Sequence, residues 1–283
     1  MTYHYINGEY VPAEEAVLPV SDLALLRGYA VFDFLRTYNK VPFFVEAHLS
    51  RLERSAKLMG IKMPLTDEEI YNVIMDLVDM HSKVEDELSF RMIVTGGDSY
   101  DNITPTGKSR LLVLTGEVHK PDPMYYDMGA RAVTVHDERY TPAAKTTNYL
   151  PAVLALQGAM RQDASEIIYV DRYDRILEGS TTNFFGVVED RLITAGSHVL
   201  PGITRHVVCE LAIGDEMILE VRDVRKEELR LFDEAFITSS TKGVFPIVNV
   251  DGLNIGDGQV GTQTKRIMQL FDEYTKNYGK DEA

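Results

Sequence analysis

The sequence predicts an α/β or α+β chain of one large or two packed domains. Three observations carry this. The chain has 283 residues and 45% hydrophobic content, enough for real cores. Strand-like and helix-like patterns keep alternating along it. One stretch, Val118-His119-Lys120-Pro121-Asp122-Pro123, carries two prolines that suit neither element and marks a linker.

In order, Tyr5-Ile6-Asn7-Gly8-Glu9-Tyr10-Val11 sets Asn-Gly between short apolar runs, a hairpin signal. Val31 to Tyr38 continues as a strand. Glu46 to Gly60 has helical spacing and a terminal glycine, and Thr66-Asp67-Glu68-Glu69 opens a second helix with a capping-box pattern. Ser89 to Thr95 and Arg110 to Thr115 are further strands. These elements make an N-terminal domain over residues 1–117, followed by a linker at 118–126 and a C-terminal domain over 127–283. There, strands at Ala132 to His136, Glu166 to Asp171, Asn183 to Val188 and Arg191 to Thr194 alternate with helices at Leu150 to Arg161, Thr204 to Ala212 and Thr264 to Lys276. Lys226-Glu227-Glu228-Leu229-Arg230 reads as a charged, solvated helical face. Periodicity takes the architecture no further.

A formal charge of −15 argues against nucleic acid, whose phosphates demand a basic surface. The first residues lack a basic stretch leading into an apolar run, and no apolar segment approaches the roughly 20 residues of a membrane span. A cytoplasmic protein without a membrane partner is the expectation. Cys209 lies in an amphipathic pattern that predicts a buried, unreactive thiol, and as the single cysteine it has no internal disulfide partner. No residue is assigned to a metal.

Three segments carry chemistry. Lys145 stands in Ala143-Ala144-Lys145-Thr146-Thr147-Asn148-Tyr149-Leu150; then come Leu177-Glu178-Gly179-Ser180-Thr181-Thr182-Asn183-Phe184-Phe185 and Leu200-Pro201-Gly202-Ile203-Thr204-Arg205. Taken singly, these read as a surface lysine, a carboxylate opening a turn and an ordinary helix start. Together they supply an amine, a carboxylate and a helix-start anion site, which is what a pyridoxal 5′-phosphate enzyme needs. The aldehyde of that cofactor takes a lysine as a Schiff base, its ring nitrogen takes a carboxylate, and its phosphate takes N–H groups at a helix N-terminus.

These stretches resemble the class IV aminotransferases, the fold type IV pyridoxal phosphate enzymes that include branched-chain and D-amino acid transaminases. The resemblance covers nearly the whole chain. It extends to Arg27-Gly28-Tyr29-Ala30-Val31-Phe32-Asp33, His48-Leu49-Ser50-Arg51-Leu52, Thr238-Ser239-Ser240-Thr241 and Gly256 to Arg266. It implies a small two-layer α/β domain, a larger domain with a barrel-like sheet, a cofactor in the cleft between them, and a homodimer in which a neighbouring subunit's loop completes each cleft.

Site roles follow from the same resemblance. Lys145 is the Schiff-base lysine and the base that moves a proton from the substrate Cα to the cofactor's C4′, its amine favoured in the neutral form by burial and the nearby cationic ring. Glu178 faces the ring nitrogen, with Asn183 and the hydroxyls of Ser180 to Thr182 shaping its turn. Ile203 and Thr204 donate backbone N–H groups to the phosphate, Arg51 and Ser240 add side-chain contacts, and Tyr149 flanks the cofactor on its phenolic side.

Substrate recognition departs from the relatives. Where typical D-amino acid transaminases place Arg-x-His after the strand Arg91-Met92-Ile93-Val94-Thr95, this chain continues Gly96-Gly97-Asp98-Ser99-Tyr100. Branched-chain enzymes usually carry a glutamate where Asp33 stands. Arg36 and Arg91 match arginines of the branched-chain group, whereas Arg27 resembles a less typical set of D-amino acid transaminases. Phe32, Thr241 and Lys242 complete the substrate set. For each arginine a structural ion pair competes with substrate contact, because 44 acidic residues offer partners.

The resulting expectation is transfer of an amino group from an amino acid, a D-amino acid ahead of others, to 2-oxoglutarate through pyridoxamine phosphate. The alternatives are a branched-chain L-amino acid aminotransferase and a lyase resembling the aminodeoxychorismate lyases.

Overall fold

The computed structural model describes residues 1–280. They divide into two compact units. The first comprises Met1–His119, Ala144–Tyr149 and the described residues from Asn277; the second comprises Lys120–Ala143 and Leu150–Lys276.

In the first unit, β1 (Tyr3–Ile6) and β2 (Glu9–Pro12) form the expected hairpin, with Asn7 at φ 48° and Gly8 at φ 113° in the turn. There follow α1 (Leu23–Arg27), β3 (Ala30–Tyr38), β4 (Val41–Pro42), α2 (Val45–Leu58), α3 (Asp67–Met80), β5 (Leu88–Thr95) and β6 (Arg110–Glu117). The strands make one antiparallel sheet in the order β2-β1-β6-β5-β3-β4. Helix α2 packs on β3 and α3, and α3 packs on β1 and β6.

The strand period of two explains the core. Val31 and Leu35 of β3, Phe90, Met92 and Val94 of β5 and Val113 of β6 turn one way, meeting Leu49, Leu52 and Ala56 of α2 and Ile70, Ile74 and Leu77 of α3. Each such large side chain contributes about 1.5–3 kcal/mol by leaving water. Helix α3 starts where the sequence indicates, on a complete capping box: Glu69 N–H donates to Thr66 Oγ1 at 3.3 Å and Thr66 N–H to Glu69 Oε2 at 2.7 Å. Helix α1 is unforeseen. Asp22 caps it by accepting Ala24 N–H at 2.8 Å, and Gly28 ends it at φ 63°.

Within the stretch expected as the C-terminal domain, 127–283, Ala144–Tyr149 and the described residues from Asn277 group with the first unit. The backbone shows why for the former. Phe32 N–H donates to Lys145 C=O at 2.8 Å and Thr147 N–H to Ala30 C=O at 3.1 Å, so this stretch lies beside the start of β3. Gly28 is required there twice over: its φ is left-handed, and a Cβ would come within 2.6 Å of Asn148 Oδ1.

The second unit contains α4 (Met124–Met128), β7 (Ala130–His136), α5 (Leu150–Met160), β8 (Glu166–Val170), β9 (Arg175–Gly179), β10 (Asn183–Val188), β11 (Arg191–Thr194), α6 (Ile203–Gly214), β12 (Ile218–Val221), β13 (Val224–Arg225), β14 (Glu234–Ser239), β15 (Gly243–Val250), β16 (Leu253–Asn254) and α7 (Thr262–Asn277), the last residue of which belongs to the first unit. Pairing runs β10-β14-β15-β7-β8-β9 and returns to β10 through Asn183 opposite Glu178, a closed ring of six strands. Each ring strand adds to one core: Ala132, Ile168, Ile176, Phe184, Ile237 and Phe245 among others. Residues of the opposite parity in β8, Ile167 and Tyr169, bury with Ala159 of α5. The charged stretch Lys226–Arg230 is a 3₁₀ turn that still buries Leu229. Cys209 is buried on α6, and its burial pushes the thiol pKa up. No helix among the described residues is long and apolar enough to cross a membrane.

Candidate active site

The first group of residues surrounds Lys145 in the first unit. Ser55, on the inward face of α2, donates its hydroxyl to Arg51 C=O at 2.8 Å and accepts Lys145 N–H at 3.1 Å. Together with Phe32 N–H this fixes the Lys145 backbone, and the residue is 9% exposed. Its Nζ lies 4.8 Å from the centroid of Phe32, whose ring meets Tyr149 edge-on at 5.7 Å. Phe32 and Phe34 occupy the β3 face opposite Val31 and Leu35, and the Arg91 guanidinium covers both rings at 5.4 and 5.5 Å. Arg36, on that same parity, is buried, lies 4.3 Å over Tyr38 and donates to Thr37 C=O. Arg27, the exposed last residue of α1, donates to Leu26 C=O at 2.6 Å.

Arg51 sits deeper than its expected role suggests. Its Nε and Nη2 donate to the two oxygens of Asp33, both at 2.8 Å, while His48 Nδ1 lies 2.7 Å from Asp33 Oδ1. Burial alone would raise the Asp33 carboxyl pKa, but Arg51 and His48 reverse this and hold it well below the usual carboxylate range. Burial depresses His48 against the pull of Asp33, and Arg51 and Lys145 add to the depression.

Asp33→Asn removes the countercharge and leaves a buried guanidinium, so a loss of roughly 3–5 kcal/mol in denaturant unfolding at neutral pH is expected. A carboxyl whose folded pKa is depressed contributes stability above its unfolded value, about 4, and loses it as pH falls toward the folded value. The gap between wild type and Asp33→Asn should therefore close only in acid, and a gap that is constant with pH would refute the assignment.

The second group lies in the second unit around Glu178, at the end of β9. Arg139 donates to its Oε1, Nε at 2.9 Å and Nη2 at 2.7 Å, and the N–H of Leu200 donates to Oε2 at 2.9 Å. Asn183 Nδ2 reaches the same oxygen at 3.5 Å and Leu200 C=O at 2.9 Å. Donors on both oxygens suit an ionised, acceptor-only carboxylate.

Helix α6 begins nearby with Gly202 as its cap and no capping side chain. The N–H groups of Ile203 and Thr204 have no acceptor among the described residues, although both residues are buried. Backbone donors buried in that state form an anion site. Glycine at 202 makes room for the Asn183 side chain, since a Cβ there would fall 1.9 Å from Asn183 Oδ1. Thr238, opposite Asn183 in the β10–β14 register, carries a buried hydroxyl without a partner. A phosphate group fits such a place, a ring nitrogen fits beside Glu178, and an aldehyde fits Lys145.

Ser240 and Thr241 lie in the turn between β14 and β15, where Thr241 Oγ1 is 3.3 Å from Ser239 Oγ. Lys242, expected in the substrate set, has its Nζ ion-paired with Glu166 Oε2 at 2.8 Å, and Glu166 is fully buried. Sequence reasoning missed Arg139, Glu166 and the Asp33–His48 contact.

A model of the family described as amino-transferase class IV matches residues 30–250. The chain is 31% identical over 282 residues to a protein of Methanocaldococcus jannaschii named putative branched-chain-amino-acid aminotransferase, covering 97% of each. It is 30% identical over 286 residues to a D-alanine aminotransferase of Staphylococcus epidermidis, covering 98% of this chain and 99% of that one. Among solved structures, Escherichia coli branched-chain amino acid aminotransferase is similar with a TM-score of 0.91 at 28% identity, over 98% of this chain and 95% of that one. A T.th. branched-chain amino acid aminotransferase complexed with N-(5′-phosphopyridoxyl)-L-glutamate is similar with a TM-score of 0.90 at 27% identity, over 99% and 96%.

Proposed function

This chain belongs to the class IV aminotransferases, which use pyridoxal 5′-phosphate, and on that footing we propose that it moves the amino group of a D-amino acid to 2-oxoglutarate. The observation that carries this reading is the condition of three arginines. Arg27, Arg36 and Arg91 are among the arginines that form no ion pair with a carboxylate among the described residues, and Arg36 and Arg91 share the face of β3 and β5 that carries Phe32, beside Lys145. In a chain with a net charge of −15, guanidiniums left without countercharge suit substrates that bring two carboxylates.

When bound, the coenzyme supplies a ring that accepts the electrons left as the substrate Cα–H bond breaks. Lys145 would hold the coenzyme through Nζ and, once the substrate amine has displaced it from that bond, its free amine would take the Cα proton and deliver it to C4′. Glu178 keeps a proton on the ring nitrogen, and Arg139 with Leu200 N–H keeps Glu178 in place. Ile203 and Thr204 N–H, Ser240 and Arg51 bind the phosphate, and Tyr149 flanks the ring. Phe32 backs the reacting amine, and Thr241 receives a substrate carboxylate.

The test follows the visible absorption of the purified, coenzyme-loaded protein as D-alanine, D-glutamate, L-leucine or L-glutamate is added. The D-enantiomers should bleach it at least about tenfold faster than the L-enantiomers, and 2-oxoglutarate should restore it. Fastest bleaching by L-leucine would make this a branched-chain enzyme instead.

A further inference from the structure

Glu166 opens β8 with a side chain shut away from solvent, yet it takes no part in the chemistry above. Its Oε1 accepts Ile167 N–H at 3.0 Å, Ser180 N–H at 3.2 Å and the Ser180 hydroxyl at 2.6 Å. Its Oε2 accepts Lys242 Nζ at 2.8 Å and lies 3.5 Å from Thr182 Oγ1. One carboxylate thus grips two turns. Ser180 and Thr182 belong to the turn that follows Glu178, and Lys242 belongs to the turn that carries Ser240 and Thr241. Both turns flank the start of β10, where Asn183 stands opposite Glu178 on one side and Thr238 on the other.

We propose that Glu166 and Lys242 are a pair of positioning residues that set the spacing between the ring-nitrogen turn and the turn bearing Ser240 and Thr241, and so govern coenzyme affinity and keto acid KM. This rests on the functional reading above. The physical reason is the nature of an ion pair whose carboxylate is fully buried and whose ammonium is half-buried. Its desolvation largely cancels its attraction, so it adds little net stability, while its directional contacts fix register. Ser180 is held by two bonds and the Lys242 turn by one; that turn is also tied through Tyr126, whose hydroxyl donates to Lys242 C=O at 2.8 Å. Loosening the shared carboxylate frees both turns together without touching Lys145 or Glu178.

The experiment compares wild type, the double variant Glu166→Gln/Lys242→Met, and Ser180→Ala. Pyridoxal 5′-phosphate affinity is measured by titrating the apoprotein, with unfolding midpoints and the KM and kcat for 2-oxoglutarate alongside. The double variant should keep the wild-type midpoint, bind the coenzyme roughly tenfold more weakly and raise KM by a similar factor, with kcat within about threefold of wild type. Ser180→Ala, which removes a single hydroxyl contact, should show a smaller weakening of the same kind, about threefold. Wild-type coenzyme affinity and KM in Ser180→Ala, or in a double variant that folds, would overturn the proposal and leave the pair a structural contact. Failure of wild type itself to bind the coenzyme would instead defeat the functional reading.

Discussion

Lys145→Ala is expected to lower transamination by at least about 10³-fold while leaving the fold intact, because it removes both the attachment point and the proton carrier. The fold should survive for a local reason. The contacts that bind this segment to β3 and α2 are made by its backbone, Lys145 C=O accepting Phe32 N–H and Lys145 N–H donating to Ser55, and alanine keeps both. The midpoint of unfolding should move by less than about 1 kcal/mol equivalent. Borohydride reduction of the loaded wild type followed by peptide mass analysis gives an independent reading: the coenzyme mass should appear on the peptide containing Lys145. Its appearance on a different lysine, or undiminished turnover by the variant, would end the assignment.

Glu178→Gln should slow the donor half-reaction by about 10²–10³-fold, the range seen when one pre-set electrostatic partner of a developing charge is lost. Coenzyme affinity should fall far less, since the groups assigned to the phosphate are unchanged. Glutamine can still accept from Leu200 N–H, but it leaves the guanidinium of Arg139 without the carboxylate now 2.7 Å from it. Arg139→Met should therefore reproduce part of the same rate loss. Stopped-flow absorption separates the two effects, and a Glu178→Gln protein with wild-type rate but poor coenzyme binding would move the residue out of the chemistry.

How much of this could be read from the chain depended on how local each signal was. Lys145, Glu178 and the start of α6 each sit in a short run of distinctive neighbours, so they could be singled out as candidates without coordinates. Arg139 was not, because its partner is 39 positions away and the adjacent Asp137 and Glu138 make a surface ion pair the plainer reading. Nor was the Lys242–Glu166 pair legible, since Glu166 at the head of a strand resembles an ordinary solvated end until the Ser180 turn folds over it. Among the strands, β9, β14 and β15 escaped notice because they are buried on both faces or nearly so, which erases the alternation that betrays a half-buried strand. The two-layer unit was easier, since β5 sets Leu88, Phe90, Met92 and Val94 at every second position, with Ser89 and Arg91 between the first three.

The closed ring of six strands also dictates an order of assembly. It is circular in space but not along the chain: β7 must wait for β15, and the hydrogen bond from Thr134 N–H to Asp251 that secures this seam spans 117 positions. Joining such distant partners makes for slow folding, and until they meet, β7 presents a bare edge able to pair with other chains. A nascent polypeptide emerging from the ribosome would present residue 178 long before the seam can shut, so Glu178 gains its finished surroundings only after β15 has emerged.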